Sequence, residues 1–210
     1  MSSDFEFYSK RNRVVLSGGI VKKYFTSAES VATEVLMLTR LKAAGVPVPQ
    51  LIARKDRIIT MSYVEGETLL DFLTRMETCS EKALLMQAAN ALIDWLALYY
   101  RAVDARKTAQ IRGDVNGRNF LWDGSCFWGV DFEETAYGPV ELDIGRLLAF
   151  VLSYEPMHTP AKAKFADRLL QRAISVLSAD KTAVLRFRDA ELLLMPARRA
   201  TRLNSNQSPR

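Results

Sequence analysis

Histidine and cysteine are almost missing from this 210-residue chain, which has one of the first and two of the second. The single histidine, His158, stands two residues before Pro160 in an expected loop, so mechanisms built on a catalytic histidine have little to work with. Cys79 and Cys126 offer neither a disulfide framework nor metal-ligand spacing. No apolar run approaches the roughly 18 residues a membrane span requires. The polar opening MSSDFEFYSKR lacks the apolar centre of a secretory signal. A cytoplasmic protein with no membrane partner is the expectation. Internal repeats are absent as well, which removes the solenoid architectures.

What is present supports a folded enzyme-sized unit. Hydrophobic residues make up 49% of the chain, enough for one sizeable core or two lobes sharing an interface. Charge is unevenly placed: residues 1–160 carry 18 Lys and Arg against 20 Asp and Glu, whereas 161–210 carry 11 against 4. Such a basic C-terminal segment can draw an RNA or protein partner, or can simply solvate helix faces.

Periodicity divides the chain in two. FEFY (5–8), RVVLS (13–17) and GIVKKYF (19–25) are short β-type runs, with Gly18-Gly19 as a turn between the last two. The T-S-A-E pattern of 26–29 reads as a capping box opening a helix that carries Val31, Val35 and Leu38 and stops near Ala44, before Gly45 and Pro47. LIARKDRIITMSYV supplies two strands paired through Lys55-Asp56. From 68 onward helices dominate, with one over 68–76, a long apolar one over 81–103, and two or three over 141–195. Between them, FLW and CFWGVDF flank Asp123-Gly124, a hairpin signal.

The chemistry concentrates in IRGDVNGRNFLW, residues 111–122. Asp114 and Asn119 have the D-x-x-x-x-N spacing of a kinase catalytic loop, and Asp131 follows where the hairpin returns. A base, an amide oxygen and a second carboxylate suit phosphoryl transfer, and magnesium takes such oxygen ligands together with phosphates. The β-rich part should then hold a lysine for the phosphates and a helix glutamate to hold it. Strand alternation puts Lys22 and Lys23 on opposite faces. Lys22 is favoured because it shares a side with Ile20 and Tyr24, and because I-V-K resembles V-A-I-K; Lys23 is the rival. Glu34, flanking the apolar stripe of its helix, is a better partner than Glu29 in the first turn.

These residues resemble the aminoglycoside phosphotransferase and choline kinase superfamily, a branch of the protein-kinase-like fold. The resemblance covers about residues 13–155 and is carried by IVKKY, Glu34, GVPVP, MSYVEGETL, RGDVNGRNFLW, VDFEE and ELDIGRLL. It implies an α+β bilobal fold: a small antiparallel β-sheet lobe with one helix (1–66), a mainly helical catalytic lobe (67–200) and a disordered tail (201–210). It further implies ATP and Mg2+ as cofactors and a small-molecule hydroxyl as acceptor. Asp114 would be the catalytic base, Asn119 and Asp131 the magnesium ligands, Ser62 and Val64 the backbone contacts to adenine, and Asp143 a brace for the catalytic loop. Three features depart from the pattern. Arg112 stands where relatives keep histidine, SKRNR between the first two strands has no glycine and leaves the phosphates to backbone amides and Lys10 or Arg11, and the chain is short.

Two other readings share this fold. One is a compact kinase of the RIO type, or like the subunit of the tRNA threonylcarbamoyl-modification complex, meeting RNA or a protein through the basic segment. The other is a nucleotide-binding pseudokinase, to which Arg112 and the missing glycines point. The adhesion tripeptide Arg112-Gly113-Asp114 is the weakest reading, because the same residues have a role in the loop.

Overall fold

The computed structural model describes residues 5–7, 11–79 and 81–205, with side chains described through Met195. Five antiparallel strands form the N-terminal sheet: β1 (Phe5–Phe7), β2 (Arg13–Ser17), β3 (Ile20–Tyr24), β4 (Leu51–Lys55) and β5 (Ile58–Ser62). Their spatial order is β1-β2-β3-β5-β4. Gly18 and Gly19, at φ 58° and 76°, make the tight turn from β2 into β3 that side-chain-bearing residues adopt only with strain. Tyr8 and Lys10, both part of the expected first strand and loop, lie outside the described residues.

Helix α1 (Ala28–Ala43) packs on this sheet. Its N-cap is Ser27, one residue later than the T-S-A-E reading places it; the Ser27 hydroxyl accepts from the backbone N–H of Glu29 and of Ser30. At the other end the Val46 N–H reaches the Leu41 carbonyl and the Gly45 N–H that of Lys42, which closes the helix in a Schellman arrangement. Glu34 does not flank the buried stripe. It lies within it, among Val31, Met37, Leu38 and Leu41.

The rest of the described chain is mainly helical. It comprises β6 (Glu67–Thr68), α2 (Leu69–Met76), α3 (Lys82–Ala102), α4 (Ala105–Thr108), β7 (Gln110–Ile111), a 3-10 turn at Gly117–Asn119, β8 (Phe120–Trp122), β9 (Phe127–Gly129), β10 (Ala136–Tyr137), α5 (Val140–Ser153), α6 (Pro160–Leu177) and α7 (Lys181–Ser205). α3 is the axis of this lobe and buries Leu92, Ile93, Trp95, Leu96 and Tyr99. The Asp123-Gly124 hairpin joins β8 to β9, and β6 adds to it in the order β6-β8-β9, while β10 pairs with β7. These two small sheets frame the loops at 112–116 and 130–135. α7 runs through Ser205, into the segment expected to be an unstructured tail; residues 206–210 lie outside the described residues.

Pro47 of GVPVP ties the lobes together. Its carbonyl accepts from the Gly129 N–H at 3.1 Å and from the Trp95 indole N–H at 2.9 Å. Arg40 of α1 adds a bond from Nε to the Ala102 carbonyl at 2.8 Å. Inside the helical lobe, Gly145 lets α5 and α7 approach closely: a Cβ there would lie 2.6 Å from Phe187 Cβ and 2.7 Å from the Val184 carbonyl oxygen. Gly145→Ala is expected to lower stability by about 1–3 kcal/mol, because neither neighbour is a flexible chain end. Urea unfolding of the variant beside the parent measures this, and an unchanged midpoint contradicts the close contact.

Candidate active site at the lobe junction

β3 sets the first functional group. Val21, Lys23 and Phe25 point inward and are 8%, 4% and 6% exposed, whereas Lys22 lies on the solvent side. The sequence expectation for Lys22 is therefore corrected to Lys23. The inward phase follows from burying Val21 and Phe25 against Ile59 and Met61 of β5, and a one-residue shift would turn that whole set outward.

Lys23 meets three carboxylates. Its Nζ lies 3.2 Å from Glu34 Oε2, 2.7 Å from Asp131 Oδ1 and 3.7 Å from Glu133 Oε2. Burial works against the ammonium, yet the charges of Glu34 and Asp131 more than offset it and hold Lys23 above the ordinary lysine value. Glu34 also accepts from the Phe132 N–H at 2.7 Å, so one carboxylate joins α1, β3 and the Asp-Phe-Glu segment. Glu133 and Glu134, which the sequence reading did not single out, reach back to the β1–β2 connection. Asn12 donates to Glu133 and Arg11 pairs with Glu134. Arg11 is thus engaged by the C-terminal lobe, while Lys10 lies outside the described residues.

Below Lys23 lies the loop after β7. Asp114 is exposed, and its Oδ1 accepts from the Asn116 N–H at 3.2 Å. Asn119 is buried; its Nδ2 donates to the Asp114 carbonyl at 3.4 Å, which commits the nitrogen to the loop and leaves the amide oxygen as the group it can offer. Asp131 has φ 64°, a left-handed conformation that costs roughly 1–3 kcal/mol in a non-glycine residue and clusters at functional sites. Tyr154 holds the loop from α5's end by donating to Asn116 Oδ1 at 3.0 Å.

The brace beneath is Asp143 of α5, fully buried. It accepts the Arg112 N–H at 2.7 Å, the Gly113 N–H at 2.9 Å and the Tyr100 hydroxyl at 3.0 Å. Burial raises the Asp143 carboxyl and these donors counter it; burial likewise holds the Tyr100 phenol well above its usual value, so it remains a donor. Tyr100 carries no sequence signal of this role, since it reads as one more aromatic in a buried helix. Between the lobes, Ser62 and Val64 are half-buried on either side of exposed Tyr63. The Ser62 N–H bonds the Gln50 carbonyl at 2.9 Å, and the Tyr63 N–H that of Gly19 at 3.3 Å.

Among the described residues no three His, Cys, Asp or Glu side chains are grouped to hold a metal unaided. One carboxylate and one amide oxygen, Asp131 and Asn119, are hard donors of the kind that hold magnesium only together with phosphates, so the donor set fits a nucleotide-borne ion. Beside the loop after β7 a polar cleft of about 210 Å³ is lined by Asp71, Thr74, Arg118, Tyr154, Glu155 and Lys162, among others. Lys162 is not free there, lying 3.0 Å from Glu77.

A five-stranded antiparallel lobe with a buried lysine–glutamate pair, set over a helical lobe whose loop carries Asp114, Asn119 and a nearby Asp131, defines a protein of the protein-kinase-like fold. The sequence profile of the RIO domain matches residues 11–136, and the chain belongs to that family. The family is therefore the one the sequence reading held as its alternative, and the likeness to aminoglycoside phosphotransferases and choline kinases holds at the level of fold. Three solved structures express that likeness. The streptomycin–ATP ternary complex of APH(2'')-IIa aligns with a TM-score of 0.64 at 12% identity, over 90% of this chain and 82% of that one. ADP-bound aminoglycoside phosphotransferase APH(2'')-Ib gives 0.55 at 14%, over 90% and 92%. A choline/ethanolamine kinase family protein from Mesorhizobium loti gives 0.51 at 15%, over 93% and 87%. A comparison with curated protein sequences finds no match. No helix among the described residues is long and apolar enough to cross a membrane.

Proposed function

We propose that this chain is an ATP- and Mg2+-dependent phosphotransferase that moves the γ-phosphoryl group to a hydroxyl of a small molecule. The observation that carries the reading is the single cluster at the lobe junction, where Lys23, Glu34 and Asp131 are joined by ion pairs and hydrogen bonds beside the Asp114–Asn119 loop. Lys23 is placed to bind phosphate oxygens, with Glu34 fixing its direction. The Ser62 N–H is taken by Gln50, so the Ser62 carbonyl and the Val64 backbone would be the groups to meet adenine. Asp131 and the amide oxygen of Asn119 would hold the magnesium ion, which when bound neutralises charge on the phosphates. Asp114, exposed at the end of its loop, accepts the proton of the attacking hydroxyl. The polar cleft beside Arg118 supports a small acceptor.

A second reading is a RIO-type kinase acting with RNA or a protein partner, favoured by the family match over 11–136. The basic C-terminal segment is weaker support than its charge suggests. Lys162 pairs with Glu77, Arg172 binds Asp94, and Arg168 binds Asn90, so part of the excess joins helices instead of facing a partner. Incubation with labelled Mg-ATP and a panel of amino sugars, choline-like alcohols and simple sugars, alongside RNA and protein acceptors, tests both. Transfer to a small alcohol is expected. Label found only on protein or RNA would decide for the second reading, and neither transfer nor an ATP-induced thermal shift would sink both.

A further inference from the structure

Two peptide planes set the conformation of Asp131: the one ending in the Val130 carbonyl and the one beginning with Asp131's own. Both oxygens converge on a single nitrogen, Arg112 Nη2, at 2.7 Å and 2.6 Å. We propose that Arg112 is a positioning residue that clamps Asp131 in its left-handed conformation and so preorganises its carboxylate for a nucleotide-borne cation. The inference rests on the phosphotransferase reading given above.

The donor count makes the assignment specific. A guanidinium Nη carries two hydrogens, one for each carbonyl, whereas each imidazole nitrogen carries at most one. A histidine at position 112 could hold one of the two planes and leave the other dihedral of Asp131 to the rest of the loop. Bonds from an ionised donor are among the stronger ones, and two of them outweigh the strain of one left-handed residue.

The arginine is kept at a cost that packing does not require. It is only 2% exposed, and its Nε has no hydrogen-bond partner among the described residues. Such an orphaned buried N–H is unusual, and an apolar side chain of similar length would avoid it. The guanidinium lies 4.6 Å from the Phe132 ring centre, and Asp143 compensates its charge from the backbone side. The Arg112 carbonyl in turn accepts the Asp114 N–H at 2.9 Å. One residue therefore touches the brace, the base's own peptide and both peptides of the cation-side aspartate. A residue wanted only for filling space would not need its two hydrogens aimed at the two oxygens that set φ and ψ of Asp131.

Titration calorimetry with ADP, once with Mg2+ and once with EDTA, reads the clamp without requiring turnover. Asp131→Asn serves as the comparator, and thermal unfolding is followed in parallel. Arg112→Met is expected to lose about tenfold or more of the magnesium-dependent gain in ADP affinity, the usual range for a group that orients a metal ligand, while affinity in EDTA changes less than about twofold. Arg112→His, with one donor hydrogen, should fall between the parent and Arg112→Met, and it carries the test if Arg112→Met does not fold. Equal losses with and without magnesium would mean a purely structural role and overturn the inference, as would a variant that keeps the full gain. A parent protein that binds ADP in neither condition overturns the phosphotransferase reading itself, and this inference with it.

Discussion

Lys23→Met is expected to damage both stability and turnover, while Lys22→Met leaves both nearly unchanged. The pair differs by one residue in one strand, yet their surroundings are opposite. Lys23 holds Glu34, which is 1% exposed, and removing the cation leaves that carboxylate buried without its charge partner. Breaking a buried pair from one side costs about 3–5 kcal/mol. Phosphoryl transfer should fall further, by about 10²–10³-fold, because the lost ammonium is also the group aimed at developing charge. Lys22 is exposed, and its replacement should stay within about 0.5 kcal/mol of the parent. Denaturant melts and initial rates on the two variants decide the matter. Loss of activity in Lys22→Met with Lys23→Met intact would reverse the assignment.

Asp114→Asn is expected to reduce turnover by about 10²–10⁴-fold with ADP affinity little changed, since it removes a proton acceptor and keeps the shape of the loop. The bond that the Asp114 side chain accepts from the Asn116 N–H can be made equally well by an amide oxygen. This variant also separates an enzyme from a nucleotide-binding pseudokinase. A parent with no turnover on any acceptor, and an Asp114→Asn variant indistinguishable from it in binding, would establish the latter.

The sequence made legible what depends on local chemistry. RVVLS is a strand to the residue, the Asp-Gly hairpin lies between FLW and FWG, and Asp114, Asn119 and Asp131 are brought to one junction by the elements expected to carry them. The family was less legible, because the motif residues are common to the branches of this fold. The phase of β3 is not legible, because Ile20-Lys22-Tyr24 and Val21-Lys23-Phe25 are nearly equal as apolar sets. Only the neighbouring strand, with Ile59 and Met61 facing inward, breaks the tie. The two-residue strands β6, β7 and β10 leave no periodic signal, since tertiary pairing alone defines them. Arg112 was visible as an anomaly, but its reach to the Val130 and Asp131 carbonyls crosses 18 and 19 residues of chain and has no local trace.

The double use of Glu34 bears on how such a protein could be controlled. Kinase-like enzymes can be switched by swinging the helix that carries this glutamate, which separates it from its lysine. Here the same oxygen also receives the Phe132 N–H. Swinging α1 outward would take one of three carboxylates from Lys23 and leave the buried Phe132 N–H without its acceptor, and the amide alone is worth about 1–3 kcal/mol when left unmade. The same Glu34 oxygen therefore ties α1 both to β3 and to the Asp-Phe-Glu segment. For a phosphotransferase built this way, control would fall to what reaches the cleft and not to the position of the helix.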